Sequence, residues 1–202
     1  MTVVIDIDMG NAGSVVNMIK KVGGEAILTR DYNLIKNAKK LILPGDGAFD
    51  TGMEHLKRFN LQKLLNVLVL QKKIPFLGVC VGLQLLSKTS EEGKMKGLGW
   101  IDAKTVRFSI SDPKYRIPHM GWNTVTIKKK SKLFANLSNE SRFYFVHSYH
   151  LECKDKNDII TTSSHGYEFV SAVQKSNIYG VQFHPEKSHK FGMQLYSNFL
   201  KI

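Results

Sequence analysis

Cys80 stands in the stretch FLGVCVGLQLL (76–86), with Gly78 and Gly82 two residues to either side. This is the G-x-nucleophile-x-G spacing of a sharp strand-to-helix turn. Such a turn drives the nucleophile into an unfavourable backbone conformation and crowds its neighbours so closely that glycine alone fits without a clash. At the start of a following helix the backbone dipole favours thiolate over thiol. The competing reading is an inert buried cysteine, the usual fate of a free thiol in an apolar segment.

A thiol of this kind needs a base. Of the seven histidines, His184 in GVQFHPEKS ends an apolar run and precedes Pro185 and Glu186. A residue before proline is pushed out of the helical region, and in extended chain residues i and i+2 share a side. That places Glu186 beside the His184 ring, where it fixes the tautomer and stabilises the charged form. The plain alternative is a strand-end histidine with a solvated glutamate. A third feature is Pro44-Gly45-Asp46-Gly47-Ala48-Phe49, whose glycines leave backbone N–H groups free to hold an oxyanion. Alone, it reads as an ordinary glycine-rich turn.

The elements that must position these groups follow from apolar periodicity. VVIDI (3–7), EAILT (25–29), KKLILPG (39–45) and IPFLGV (74–79) read as short buried strands. A helix capped by Ser14 runs to about Val22 and stops at Gly23-Gly24. Apolar residues at 61, 64, 65, 68 and 69 predict a helix over 61–73, and VGLQLLS opens another. The second half changes character. TVRF, WNTVTI, RFYFVHSYHL, DIITTSS, FVSAV and IYGVQF are β-rich runs separated by turn residues, and Lys128–Lys130 reads as a hairpin turn. SHKFGMQLYSNFL closes the chain as an amphipathic helix. The expectation is an α/β fold: a flavodoxin-like, mostly parallel sheet flanked by helices, with a β-rich antiparallel insertion near residues 100–175, all in one domain over 1–202.

The 202 residues, 43% of them hydrophobic, suffice for a core. The formal charge of +12 comes from lysines scattered along predicted helices and turns. No basic stripe is interleaved with stacking aromatics, so nucleic-acid binding is not expected. No apolar run is long enough to cross a bilayer, and MTVVIDIDMG lacks the basic region of a secretory signal. Two distant cysteines form no disulfide framework and fit a reducing cytoplasm.

Taken together, PGDGAF (44–49), GVCVGLQLL (78–86), SEEG (90–93), GLGW (97–100), PHMGWN (118–123), FVHSY (145–149) and GVQFHPEKS (180–188) resemble class I, triad-type glutamine amidotransferases over nearly the whole chain, in particular the family of the glutaminase subunit of imidazole glycerol phosphate synthase. The resemblance implies Cys80, His184 and Glu186 as the catalytic triad. It implies backbone N–H groups of Gly45, Asp46, Gly47 and Val81 as the oxyanion site, with Gln84, Glu92, Ser148 and Tyr149 recognising glutamine. It implies a heterodimer with a (β/α)₈-barrel cyclase that receives the ammonia for histidine biosynthesis, met at Asn11, Trp122 and Lys187. It implies no cofactor and no metal.

The chain also departs from that pattern. Val81 and Leu83 replace the more usual Leu and Met, Asp8 sits where Gly is common, and Asp46 sits where an apolar residue is usual. A carboxylate facing a developing oxyanion is unfavourable, so Asp46 is expected to face outward or to keep the loop inactive until a partner binds. The stretches FDTGMEHL (49–56), GWIDAKTVRF (99–108) and HPEKSHKFGM (184–193) resemble paralogues that supply ammonia for amidation of surface-polysaccharide sugars. Two other readings stay open: a stand-alone γ-glutamyl thiol hydrolase, and a non-catalytic binding module that keeps the fold.

Overall fold

The computed structural model describes residues 1–202. The first half alternates strand and helix: β1 (Thr2–Ile5), α1 (Ala12–Lys21), β2 (Ala26–Thr29), α2 (Tyr32–Lys36), β3 (Lys40–Gly45), α3 (Phe49–Arg58), α4 (Leu61–Leu65), then β4 (Phe76–Cys80) and α5 (Val81–Gln84). The second half holds β5 (Thr89–Ser90), β6 (Ala103–Arg107), β7 (His119–Thr124), β8 (Thr126–Ile127), β9 (Arg142–His147), β10 (Tyr149–Cys153), β11 (Ile159–His165), β12 (Tyr167–Lys175) and β13 (Ile178–Val181), and the closing helix α6 (His189–Lys201).

The strand order is β2-β1-β3-β4-β13-β12-β10-β6-β5, with β11 on β12 and β8 on β11. From β2 to β13 the pairs are parallel, and from β13 to β6 they are antiparallel. The α/β expectation therefore holds, with a difference in the second half. The antiparallel strands extend the central sheet across β13, and only β7 and β9 form a sheet of their own. The reason lies at Ser148, which breaks the run RFYFVHSYHL into β9 and β10 and sends them to different sheets. One apolar cluster of 53 buried residues fills the interior.

Several local expectations change. Asn11, not Ser14, caps α1: its side chain accepts from the Ser14 N–H at 3.2 Å. The 61–73 helix splits into α4 and a π-helical stretch, Asn66–Gln71, after Asn60 enters in the left-handed region. The helix after Cys80 is a single turn, so it lends the thiol little dipole. Lys128–Lys130 is a bend between β8 and a 3₁₀ turn at Lys132–Phe134, not a hairpin. α3 is an element that the apolar periodicity did not predict, and its sequence FDTGMEHLKR carries a mid-helix glycine. Packing explains that glycine: a Cβ on Gly52 would sit 2.9 Å from Leu85 Cδ1.

Asp8 takes a positive φ of 54°, which accounts for glycine being common at this position, and Arg30 ion-pairs with both Asp6 and Asp8 to hold the loop. The hydrogen bond from Arg30 lowers the Asp8 carboxyl below its usual range.

The β7–β9 sheet joins the main sheet through a histidine-aromatic cluster around Phe108, which touches His119, His147, His150, His165, Tyr167 and Phe169. His119 Nδ1 lies 3.0 Å from His147 Nε2. Burial, and then the charge of His165, lowers the His119 pKa to about 4. Burial also lowers those of His147 and His150. In the unfolded chain these rings take a proton near pH 6.5. Below that value the unfolded state binds more protons than the folded one, so stability falls as pH drops from 6.5 towards 4. The thermal midpoint, followed by circular dichroism, should drop across this window by about 2–4 °C per kcal/mol lost, and His119→Gln should flatten the slope.

Candidate active site

Cys80 is the last residue of β4 and has φ 54°, ψ −111°, a conformation that L-residues rarely adopt. The neighbouring glycines leave no room for a side chain. A Cβ on Gly78 would lie 2.5 Å from Gly82 O, and one on Gly82 would lie 1.9 Å from Leu43 O. The turn is therefore wedged against β3, whose Gly45 pairs with Cys80 in register.

His184 is fixed from the backbone. Its N–H donates to Tyr144 O at 2.9 Å, and its carbonyl accepts from Ser188 Oγ at 2.5 Å. Ser188 Oγ also accepts from the Tyr144 N–H at 3.0 Å. His184 itself is extended, but Pro185–Lys187 then forms a 3₁₀ turn. Glu186 thus reaches the ring by the chain curling back and not by strand alternation. Glu186 Oε1 lies 2.7 Å from His184 Nδ1, with both side chains buried. His184 Nε2 is buried without a hydrogen-bond partner, which leaves it free for the Cys80 thiol that acts on the ring. Burial pulls the His184 pKa down, but the hydrogen bonds and charges of Cys80 and Glu186 outweigh it and raise the value to about 10. The arrangement thus favours an imidazolium beside the sulfur.

A cavity of about 290 Å³ opens over the thiol. It is lined by Asp46, Gly47, Cys80, Val81, Gln84, Glu92, Ser148 and Tyr149, all singled out from the sequence, and by Pro118, Val146 and His147. Two larger hollows, about 590 and 530 Å³, lie beside β10 and hold none of the predicted site residues. Chemistry and not size therefore selects the site. Gln84 Nε2 donates to Tyr149 O at 3.1 Å and to Gln182 Oε1 at 3.2 Å, which leaves Gln84 Oε1 without a protein partner. Glu92 Oε2 accepts from the Phe49 N–H at 2.8 Å, and its other oxygen is unpartnered. The N–H groups of Asp46 and Gly47 have no protein partner. Val81 begins the α5 turn, so its N–H has none within the helix. Asp46 is exposed and lines both this cavity and a narrow cleft behind the triad.

Asn11 and Lys187 meet in a narrow cleft that also contains Asp46, His184 and Glu186 and backs onto the triad. Trp122 lies nearby, 46% exposed and not in the core; it stacks on His189 at 5.3 Å and meets Tyr144 edge-on. Lys187 Nζ sits over the Tyr144 ring. The structure also brings in residues the sequence reading passed over. Gln182 Nε2 lies 3.8 Å from Cys80 Sγ, and the i, i+2 spacing of 182 and 184 in the run just after β13 was a legible signal for it. Asp50 accepts from the N–H groups of Lys94 and Met95 and ties the 90–95 loop to α3.

A strained cysteine at the carboxyl end of a parallel strand, with a histidine-glutamate pair behind it, defines a triad-type thiol enzyme. The family model "Glutamine amidotransferase class-I" matches residues 3–202. The imidazole glycerol phosphate synthase subunit HisH 2 of Methanococcus maripaludis is 58% identical, covering 100% of this chain and 99% of that protein. The subunit of the same name from Pseudomonas aeruginosa is 48% identical over the full length of both. A crystal structure of a glutamine amidotransferase superposes with a TM-score of 0.75 at 18% identity, covering 98% and 97% of the two chains, which supports the shared fold. The chain belongs to the class-I glutamine amidotransferase family and, within it, to the HisH subunits.

The crowding at the elbow makes a direct prediction. Gly82→Ala should lower the thermal midpoint by the equivalent of about 1–3 kcal/mol and remove glutaminase activity, because Leu43 O or the Cys80 turn must move. Gly13→Ala, at a helical glycine whose added Cβ would meet only Asn11 Oδ1 at an ordinary 3.9 Å, should change neither. Thermal melts and glutamate release measured on both variants check this.

Proposed function

We propose that this chain is the glutaminase subunit of imidazole glycerol phosphate synthase and acts as one domain in the cytoplasm. The observation that carries the reading is the Cys80, His184, Glu186 set facing a cavity whose unpartnered groups match glutamine. His184 takes the thiol proton and Cys80 Sγ attacks the glutamine side-chain carbonyl carbon. Backbone N–H groups of the 45–47 loop and of Val81 hold the oxyanion. The imidazolium then protonates the departing nitrogen, ammonia leaves, and a γ-glutamyl thioester remains. Water, deprotonated by His184, attacks the thioester, releasing glutamate and restoring the thiol. Gln84 Oε1 accepts from the substrate, Glu92 pairs with its α-ammonium group, and Ser148 and Tyr149 complete the pocket. Its relatives are named as synthase subunits, which supports a second subunit; in this reading that subunit is a barrel-type cyclase, and it takes the ammonia for histidine biosynthesis. Asn11, Trp122 and Lys187 form the surface it meets.

Cys80→Ala should reduce glutamate production by at least about 10³-fold while leaving complex formation intact; full activity in that variant would end the reading. Asp46→Val removes an exposed carboxylate beside the oxyanion loop. A several-fold rise in basal glutaminase activity without the partner would identify Asp46 as inhibitory, and unchanged activity would place it outside the reaction field.

A second reading concerns the acceptor. The three stretches similar to sugar-amidating paralogues support ammonia delivery to a surface-polysaccharide sugar instead. The co-purified barrel subunit, supplied with glutamine and the imidazole-pathway ribonucleotide, separates the two. Turnover of the nucleotide supports histidine synthesis, and glutamine hydrolysis without it supports the sugar route.

A further inference from the structure

The triad accounts for one oxygen of Glu186, the one on His184 Nδ1. The other, Oε2, is buried and has no hydrogen-bond partner, and the same holds for the hydroxyl of Tyr196. Both orphaned atoms sit at the buried junction where α6 packs onto the Pro185–Lys187 turn, and the Glu186 carboxylate acts on the Tyr196 hydroxyl there.

The fold forces this approach. Tyr196 is on α6, one turn beyond Gly192. A Cβ on Gly192 would sit 1.8 Å from Pro185 O, so the helix is docked hard onto the turn that carries Glu186. Tyr196 is 0% exposed and shares its buried stripe with Leu195 and Phe199. At such a position Phe or Leu would bury the same area without stripping a hydroxyl of water, which is costly unless the hydroxyl finds a partner. Glu186 Oε2 is the partner available.

We propose that Tyr196 is a positioning residue of the triad. Its hydroxyl donates to Glu186 Oε2, which keeps the carboxylate ionised and turned so that Oε1 stays on His184. Burial, and then the charge of Glu186, raises the Tyr196 pKa well above its ordinary value, so the hydroxyl keeps its proton and remains a donor. The inference rests on Cys80, His184 and Glu186 being the working triad. The other titratable groups facing this carboxylate are few: His184 and, through it, Cys80, with Asp46 and Lys187 across the narrow cleft.

Tyr196→Phe removes the hydroxyl and little else. A buried carboxylate oxygen without a donor is easier to protonate, and a protonated Glu186 no longer balances the imidazolium. With the full chain in complex with its partner subunit, kcat for glutamine hydrolysis should fall about tenfold, the scale of a hydrogen bond to a charged group. KM should stay within about twofold, since Tyr196 does not touch the cavity. The acid limb of kcat/KM, and that of Cys80 alkylation by iodoacetamide, should both move to higher pH. In a Glu186→Gln background Tyr196→Phe should cost nothing further.

A variant that keeps the parent's kcat and acid limb overturns the inference, whether or not its thermal midpoint drops, and leaves Tyr196 a packing residue. If phenylalanine is not tolerated, 3-fluorotyrosine at 196 preserves the shape with a stronger donor. It should shift the acid limb to lower pH, and an unmoved limb overturns the inference. Cys80→Ala, run alongside, separates the two claims: if it stays active the glutaminase reading fails, and if it is dead while Tyr196→Phe is normal only the role of Tyr196 fails.

Discussion

The site depends on the contact between Gly82 and the carbonyl oxygen of Leu43. Less than a methyl group's width separates the elbow from the neighbouring strand, and a Cβ at 82 would overlap Leu43 O at 1.9 Å. That contact fixes the position of the turn relative to β3, and β3 carries the 45–47 loop. The thiol and the N–H groups beside it are thus set by one backbone packing event, and the positive φ of Cys80 is the strain that this packing sustains. The one-turn helix that follows adds little field of its own, so the support for a charged sulfur comes from His184 and from the Gln182 amide.

The base is held by a different device. The His184-Pro185-Glu186 turn leaves the parallel strand β13 and is clamped on three sides: Tyr144 of β9 on the backbone, Ser188 bridging Tyr144 and the His184 carbonyl, and α6 pressed onto Pro185 through Gly192. The nucleophile therefore ends β4 and the base follows the adjacent parallel strand β13, while the residues that fix the base come from the antiparallel half and the last helix. The continuous sheet is what makes this possible, because β13 pairs in parallel with β4 on one side and antiparallel with β12 on the other.

The same continuity links the cavity to the outer surface. Gln84 bonds Tyr149 O, which also accepts from His147 Nδ1 at 2.7 Å, and His147 is linked to His119 of β7. On the other side, Lys187 and Asn11 share a cleft with Glu186 and Asp46. The exposed Trp122 and Lys187 both lie against Tyr144, whose backbone holds His184. An event at that surface has a short, contiguous route of packed groups to the base.

The residues that could do chemistry were legible in the sequence because their signals are local. Glycines two residues either side of Cys80, a proline after His184 and a glycine pair in a strand-end loop each state a backbone requirement within five residues. The alternation of strands and helices was legible in the first half for the same reason. The sequence left open what depends on distant chain. Ser148 splitting one β run between two sheets, Gly52 packing against Leu85 inside a helix and Glu186 curling back beneath α6 are all decided by which atoms arrive from elsewhere. Tyr196 is the sharpest case. In the sequence it is one more apolar position on an amphipathic helix, and only the docking of that helix 10 residues beyond Glu186, closed by the absent side chain of Gly192, turns its hydroxyl towards the triad.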